Sequence, residues 1–318
     1  MVRFVFTVED LARMRFAISP MWELVHSLLA LRDPSTAALH LPWLKSLSGR
    51  LDGIALAPAV ALMAPRGYSP DFINPPPASP LGDIADDLAA LRATPDDLIR
   101  HDITLWNSQH EGVSVGAWLD DPRGTVAALA DTLEAYWDMA MAPVWPRVRA
   151  FLEADVAHRA RRLAEGGQAA LFADLHPAVR WADGSLEVQV SRHEAVKDLA
   201  GRGLLLMPSA FKCDAPSTLD LAPWQPTVSY PARGIATLWD AGAAAPDGLS
   251  RVLGATRAEI LAALDAPRST SELAERLGIS APGVSHHLIA LRDAGLVTAR
   301  RDGRAMLYVR TAAADALL

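Results

Sequence analysis

Cys213 is the only cysteine in 318 residues. A single thiol excludes an intramolecular disulfide and any cysteine-based zinc cluster, and it fits a reducing compartment. Long apolar runs are missing as well. The longest, "IALAPAVALMAP" (Ile54–Pro65), is too short and too broken by proline to span a bilayer. The opening "MVRFVFTVEDLARMRF" is charged throughout and lacks the apolar core of a secretory signal. No glycine-rich phosphate loop is present; "GRGLLL" at Gly201 is a weak match and reads as a turn. These absences predict a cytoplasmic protein with no membrane segment and no cofactor.

What is present divides unevenly along the chain. Hydrophobic residues make up 51%, enough to bury a sizeable core, and the length suits two domains. The net charge of −7 looks wrong for a nucleic-acid binder. From Leu249 onward, however, nine arginines and no lysine face seven acidic residues, a surplus of two positive charges. The preceding residues carry 21 Lys and Arg against 30 Asp and Glu, a deficit of nine, and hold all nine tryptophans. Composition thus predicts an acidic, aromatic domain over 1–240 and a mildly basic one over 241–318, joined through the flexible "WDAGAAAPDGLS" (Trp239–Ser250).

In the first domain, "VRFVFTV" (Val2–Val8) alternates as a strand, and "EDLARMRFAI", "SPMWELVHSLLALRD" and "STAALHLPWLKSL" carry helical periodicity. Ser19-Pro20 is a helix start, with Met21, Leu24, Val25, Leu28 and Leu29 on one face. Two helices are expected around Thr94-Pro95, and a long helical stretch over Thr125–Glu165 is broken near Pro143 and Pro146. "AVRWADGSLEVQV" reads as a hairpin turning at Asp183-Gly184; "GLLLMPSAF" and "PTVSYPARG" read as further strands. The fold class is mainly α (α+β): a helical domain with a small β-sheet.

The second domain is more specific. Capping boxes are expected at Thr256-x-x-Glu259 and Ser269-x-x-Glu272. The second opens a helix that stops at Gly278. After a short turn, "SAPGVSHHLIALRDAGL" places Val284, Leu288 and Leu291 on an inward face. "LVTARRDGRAMLYVR" follows as strand, Asp302-Gly303 turn, strand. Two short helices at a sharp turn, a third before them and an arginine-tipped hairpin after make a winged helix-turn-helix.

On a helical wheel Pro282, His286 and Ile289 point outward, Ser285 lies on the flank and His287 at the edge of the core face. Neighbouring histidines diverge by about 100° on a helix, so they do not converge on a metal or a substrate. Candidate DNA contacts are Ser280, Ala281, Pro282, Ser285, His286, His287 and Ile289, with Arg300, Arg301 and Arg304 on the wing. No catalytic and no metal-binding residue is expected.

"SELAERLGISAPGVSHHLIALRDAGLVTARRDGRAMLYV" resembles the ArsR-type winged helix-turn-helix repressors. The resemblance covers roughly residues 250–311. It implies a homodimer whose paired recognition helices bind a partly palindromic operator on double-stranded DNA. The metal sensing of that family does not carry over, because "SELAERL" holds no cysteine and the final "TAAADALL" has only Asp315. "VRFVFTVEDLARMRFAISPMWEL", "LLLMPSAF" and "YPARGIATLW" resemble the long N-terminal extension of actinobacterial ArsR-type regulators.

The first domain is larger than dimerisation alone needs. A pocket for a small-molecule effector, lined by aromatics, is one reading; a dimerisation domain is another. His101-Asp102 and His193-Glu194 are adjacent in sequence, which does not make a dyad. His26, His40, His110, His158 and His176 are scattered without ligand spacing, and Lys212 beside Cys213 is a weak redox signal. The function expected is therefore a transcription regulator, a repressor, and not an enzyme. The alternatives are an architectural DNA-binding protein and an enzyme fused to a DNA-binding module.

Overall fold

The structure is a computed structural model. It describes all residues except 34–36, 64–67, 111–113, 191–193, 213–214, 221–223, 240–246, 303–304, 316 and 318. Cys213, His193, Arg304 and most of the expected linker therefore lie outside the described residues. The chain divides into two compact units, Met1–Ile235 and Ala236–Leu318.

The first unit opens with β1 (Val2–Val5), α1 (Val8–Ala12) and β2 (Arg15–Phe16). The expected strand ends early because Thr7 caps α1. Its hydroxyl accepts from the Asp10 amide at 3.2 Å, and the Asp10 carboxylate accepts from the Thr7 amide at 2.9 Å. The helical reading of "EDLARMRFAI" is corrected in its second half. Arg15 and Phe16 pair as a strand with Leu205 and Leu206, so a long-range ladder overrides local periodicity.

Ser19 caps α2 (Pro20–Arg32), accepting from the Trp22 amide at 3.2 Å, with Pro20 in the first turn. Met21, Leu24, Val25 and Leu28 are buried as expected, whereas Leu29 is only half-buried. Glu23, His26 and Ser27 are buried too, so α2 is enclosed on nearly every side over its first nine residues. The helical part continues through α3 (Leu41–Ser46), α4 (Ala57–Leu62), α5 (Ile84–Arg92), α6 (Asp96–Asn107), α7 (Gly116–Asp120), α8 (Pro122–Tyr136) and α9 (Trp145–Phe172). Pro95 caps α6 at the expected break. The second break falls on a π-helical turn at Trp137–Met141, and Pro146 sits in the first turn of α9.

The single small sheet expected is, among the described residues, two four-stranded ones. With β3 (Val179–Ala182), β4 (Ser185–Val188), β5 (Ala195–Asp198), β6 (Leu205–Ser209), β7 (Ser217–Leu219) and β8 (Thr227–Pro231), their orders are β3-β4-β1-β5 and β2-β6-β8-β7. The hairpin turns at Asp183-Gly184, both at positive φ. In the second sheet β2, β6 and β8 run parallel. All five residues of β6 are buried. Leu206 joins Phe4, Phe172 and Tyr230 on one side, while Leu205 and Met207 meet Trp22 and Leu219 on the other. A parallel strand covered on both faces needs such a continuous apolar run.

The second unit runs α10 (Asp247–Leu253), α11 (Ala255–Ala263), β9 (Arg268–Ser269), α12 (Thr270–Leu277), α13 (Ala281–Asp293), β10 (Val297–Asp302), β11 (Ala305–Arg310) and α14 (Ala312–Asp315). Its core gathers Ile260, Leu261, Leu264, Leu273, Val284, Leu288, Leu291 and Val297. The capping box expected at Thr256 does not form. Gly254 is the N-cap at φ +87°, which places Thr256 inside the first turn. β9 adds a third strand to the wing, pairing with β11.

Candidate nucleic-acid interface

Local chemistry positions α12 and α13. Ser269 caps α12: the Glu272 carboxylate accepts from the Ser269 amide at 2.7 Å, and the Ser269 hydroxyl accepts from the Glu272 amide at 3.3 Å. Those hydrogen bonds from Ser269 hold the Glu272 carboxyl below the usual range. α12 ends at Gly278, left-handed at φ +66°, where the Ile279 amide reaches back to the Ala274 carbonyl at 3.2 Å. α13 ends the same way: Gly295 is at φ +72° and the Leu296 amide bonds the Leu291 carbonyl at 2.9 Å. Both are Schellman closures, and Ile279 and Leu296 each fold onto the core just after one. One closure sets the turn into α13, and the other aims the chain into the wing.

α13 starts on Ser280, whose hydroxyl accepts from the Gly283 amide at 3.3 Å. Ser280 is exposed, and its hydroxyl already serves as a cap. Val284, Leu288 and Leu291 are buried at 1% exposure or less. Ala281, Pro282, His286 and Ile289 are exposed, while Ser285 and His287 are half-buried. The His286 and His287 rings lie 5.6 Å apart at 65°. The His287 Nδ1 is buried and lacks a hydrogen-bond partner among the described residues. His287 thus belongs to the packing edge and His286 to the open face. A side chain the sequence reading passed over, Arg292, shares the flank with Ser285. The seven-residue spacing was the available signal. It is exposed and lies 3.7 Å from Asp293.

The wing is an antiparallel ribbon in which Arg300 pairs with Leu307 and Arg301 with Met306. Both arginines are exposed. Adjacent strand residues point to opposite faces, so the two do not present one common surface. Arg304 lies outside the described residues. Other arginines of this unit are held in ion pairs: Arg268 and Arg276 to Asp265, and Arg310 to Asp315. Arg310 also donates to the Leu261 carbonyl at 3.0 Å, which ties the ribbon to α11.

The adjacent His101-Asp102 pair does not make a dyad. Asp102 is buried and accepts from the Tyr68 hydroxyl at 2.8 Å and the Phe72 amide at 2.9 Å. His101 is exposed on α6, and His193 lies outside the described residues.

Residues 255–300 match a family model described as a helix-turn-helix domain. Residues 102–236 match one described as a family of unknown function, DUF5937. The HTH-type transcriptional regulator KmtR of Mycobacterium tuberculosis is 51% identical over 55 residues, which are 17% of this chain and 42% of that protein. A probable mercury resistance operon repressor of Streptomyces lividans is 51% identical over 41 residues, 13% of this chain and 33% of that protein. The chain thus spans less than half the length of these relatives. No solved structure matches it.

Proposed function

We propose that this chain, which joins an ArsR-type helix-turn-helix to a region of the DUF5937 family, is a DNA-binding transcription regulator. The observation that carries the reading is α13. It is capped at both ends and seated on its own core, and it turns Pro282, His286 and Ile289 outward. A helix so held fits a major groove, where an imidazole can meet base edges and an isoleucine a thymine methyl. Ser280, Ala281, Ser285, His287 and Arg292 border that face, and on the wing one of Arg300 and Arg301, together with Arg304, would meet the phosphates.

In this reading the protein is a cytoplasmic repressor and a homodimer on a palindromic double-stranded operator. A small-molecule effector bound by the first unit shifts the population between binding and non-binding states. The Streptomyces relative is named for mercury resistance, but α12 offers no cysteine to hold a metal, so metal sensing is not part of the proposal. A gel shift on the DNA upstream of its own gene tests the reading. Sequence-specific retention at moderate salt is expected. Binding that ignores sequence and collapses with salt would make this an architectural protein instead.

A further inference from the structure

The N-terminal ends of the parallel strands β2, β6 and β8 meet at an open cleft of about 560 Å³, lined by Arg13, Met14, Arg15, Arg202, Trp224 and Gln225 among others. It lies wholly within the first unit. Gln225 organises it. The carboxamide Oε1 accepts from Arg15 Nε at 2.9 Å, and Nε2 donates to the carbonyls of Arg202 at 3.0 Å and Arg13 at 3.4 Å. One side chain thus ties all three arginine segments together. Gly203 lets the chain before β6 lie against this wall. It is at φ +70°, and a Cβ there would sit 2.6 Å from the Arg13 carbonyl oxygen.

The three guanidinium groups differ in their charge balance. Arg13 is paired with Glu9 at 2.7 Å. Arg202 is paired with Asp220 at 3.1 Å. Arg15 has no carboxylate partner among the described residues. Its bonds go to neutral acceptors, the Gln225 carboxamide and the Pro77 carbonyl at 3.2 Å, and its Nη1 is buried with no hydrogen-bond partner among the described residues. Burial works against its charge. A half-buried cation that is neither paired nor fully hydrogen-bonded is costly to keep unless an anion completes it. Beside it Trp224 packs onto Trp22, Leu205 and Met207, which holds the indole as a firm apolar wall.

We propose that this cleft binds a small aromatic monocarboxylate, its carboxylate on Arg15 and its ring against Trp224. A monoanion matches Arg15, the one guanidinium of the three without a carboxylate partner among the described residues; Arg202 shares Asp220 with Lys197. The volume is in the range of small-molecule sites. The effector role of such a ligand rests on the regulator reading above; the binding itself does not.

Two measurements on the full chain keep those apart. Isothermal calorimetry with benzoate, indole-3-acetate and 2-naphthoate reads the site. At least one should bind, and its neutral amide should bind about tenfold or more weakly, the scale of one charged hydrogen bond. Arg15→Gln should lose the same factor, while Arg15→Lys, which keeps charge but not the guanidinium, should recover only part. Trp224→Leu should weaken binding with no change in the acid-over-amide preference. Circular dichroism checks that each variant is folded. Absence of binding by every acid overturns the proposal, as does equal affinity of acid and amide, or of wild type and a folded Arg15→Gln. Inorganic phosphate binding more tightly than the acids would also overturn it. Separately, fluorescence anisotropy on upstream DNA, with and without the bound acid, reads gating. Binding by calorimetry with unchanged DNA affinity would sink the effector role and leave the site standing.

Discussion

Glu23 is buried in the first unit. Its Oε2 accepts from the amides of Ala210 and Phe211 at 2.9 and 3.2 Å, while Oε1 is buried without a hydrogen-bond partner among the described residues. Burial raises this carboxyl from 4.5 to about 7. One turn along α2, His26 places Nδ1 3.0 Å from the Ser209 hydroxyl, and burial together with nearby Lys212 pushes its pKa well below 6.5. The two act in opposite directions on stability. Between 4.5 and 7 the folded chain holds a proton on Glu23 that the unfolded chain has lost, so stability falls as pH rises through that window. Integrated, this is roughly 3 kcal/mol at about 1.4 kcal/mol per pH decade. Below 6.5 the unfolded chain protonates His26 and the folded chain does not, so stability falls as pH drops. Burial also lifts Asp87 to about 6 and Asp71 to about 8, both with the sign of Glu23. Urea midpoints should therefore decline from pH 6 to pH 8 in the wild type. Glu23→Gln should flatten part of that decline and leave the remainder to Asp71. An equal decline in the variant would show that Glu23 ionises normally in the fold. On α13 the contrast is one of exposure. Replacing Ser285 and His286 with alanine should relax discrimination between operator and mutated operator in competition gel shifts, at about 1–3 kcal/mol per base contact. Retained discrimination would put the reading face elsewhere.

At the scale of elements, the helix-turn-helix was legible in the sequence because its determinants are local. Ser269 with Glu272, Gly278 and the 284/288/291 spacing each act within one or two turns. The expectation at Thr256 failed for an equally local reason: Gly254, with its positive φ, took the cap two residues earlier. What was not legible is the long-range pairing. β2 is two residues long and exists because Leu205 and Leu206 offer it a ladder nearly 190 residues away. β5 and β7 are likewise short strands defined by their partners rather than their periodicity. The DNA face was partly legible. The wheel separated His286 from His287, but the period of two in β10 also separates Arg300 from Arg301, which a linear count of arginines hides. Two tests belong here. Gly278→Ala forces a Cβ into a left-handed position and should cost about 1–2 kcal/mol, and Leu288→Ala should cost about 2–5 kcal/mol by opening the core. Both read out as a lowered thermal midpoint of the second unit. On the wing, Arg300→Ala and Arg301→Ala should differ: the one facing phosphate lowers the salt slope of DNA affinity by about one, and the other leaves it unchanged. Equal slopes for both variants would mean that the ribbon tip twists enough to present the two together.

For the whole molecule, charge is the property that no single element explains. The chain before Leu249 carries nine more acidic than basic residues, and the chain after it two more basic than acidic. A phosphate backbone attracts the second part and repels the first, and both effects are screened over about 10 Å at 0.1 M salt. An acidic partner domain therefore lowers sequence-independent and sequence-specific affinity by a similar factor, which leaves the base contacts to keep the specific site occupied. The consequence can be measured with a fragment spanning residues 236–318, which holds its own apolar cluster of Leu273, Val284, Leu288 and Leu291 and can be checked for folding by circular dichroism. On random-sequence duplex at low salt the fragment should bind more tightly than the full chain, and the gap should close as salt rises toward about 0.5 M, where screening falls to a few ångströms. If the folded fragment binds more weakly at every salt concentration, the first unit adds affinity through dimerisation that outweighs its repulsion, and analytical ultracentrifugation of the two proteins would then show a monomeric fragment beside a dimeric chain.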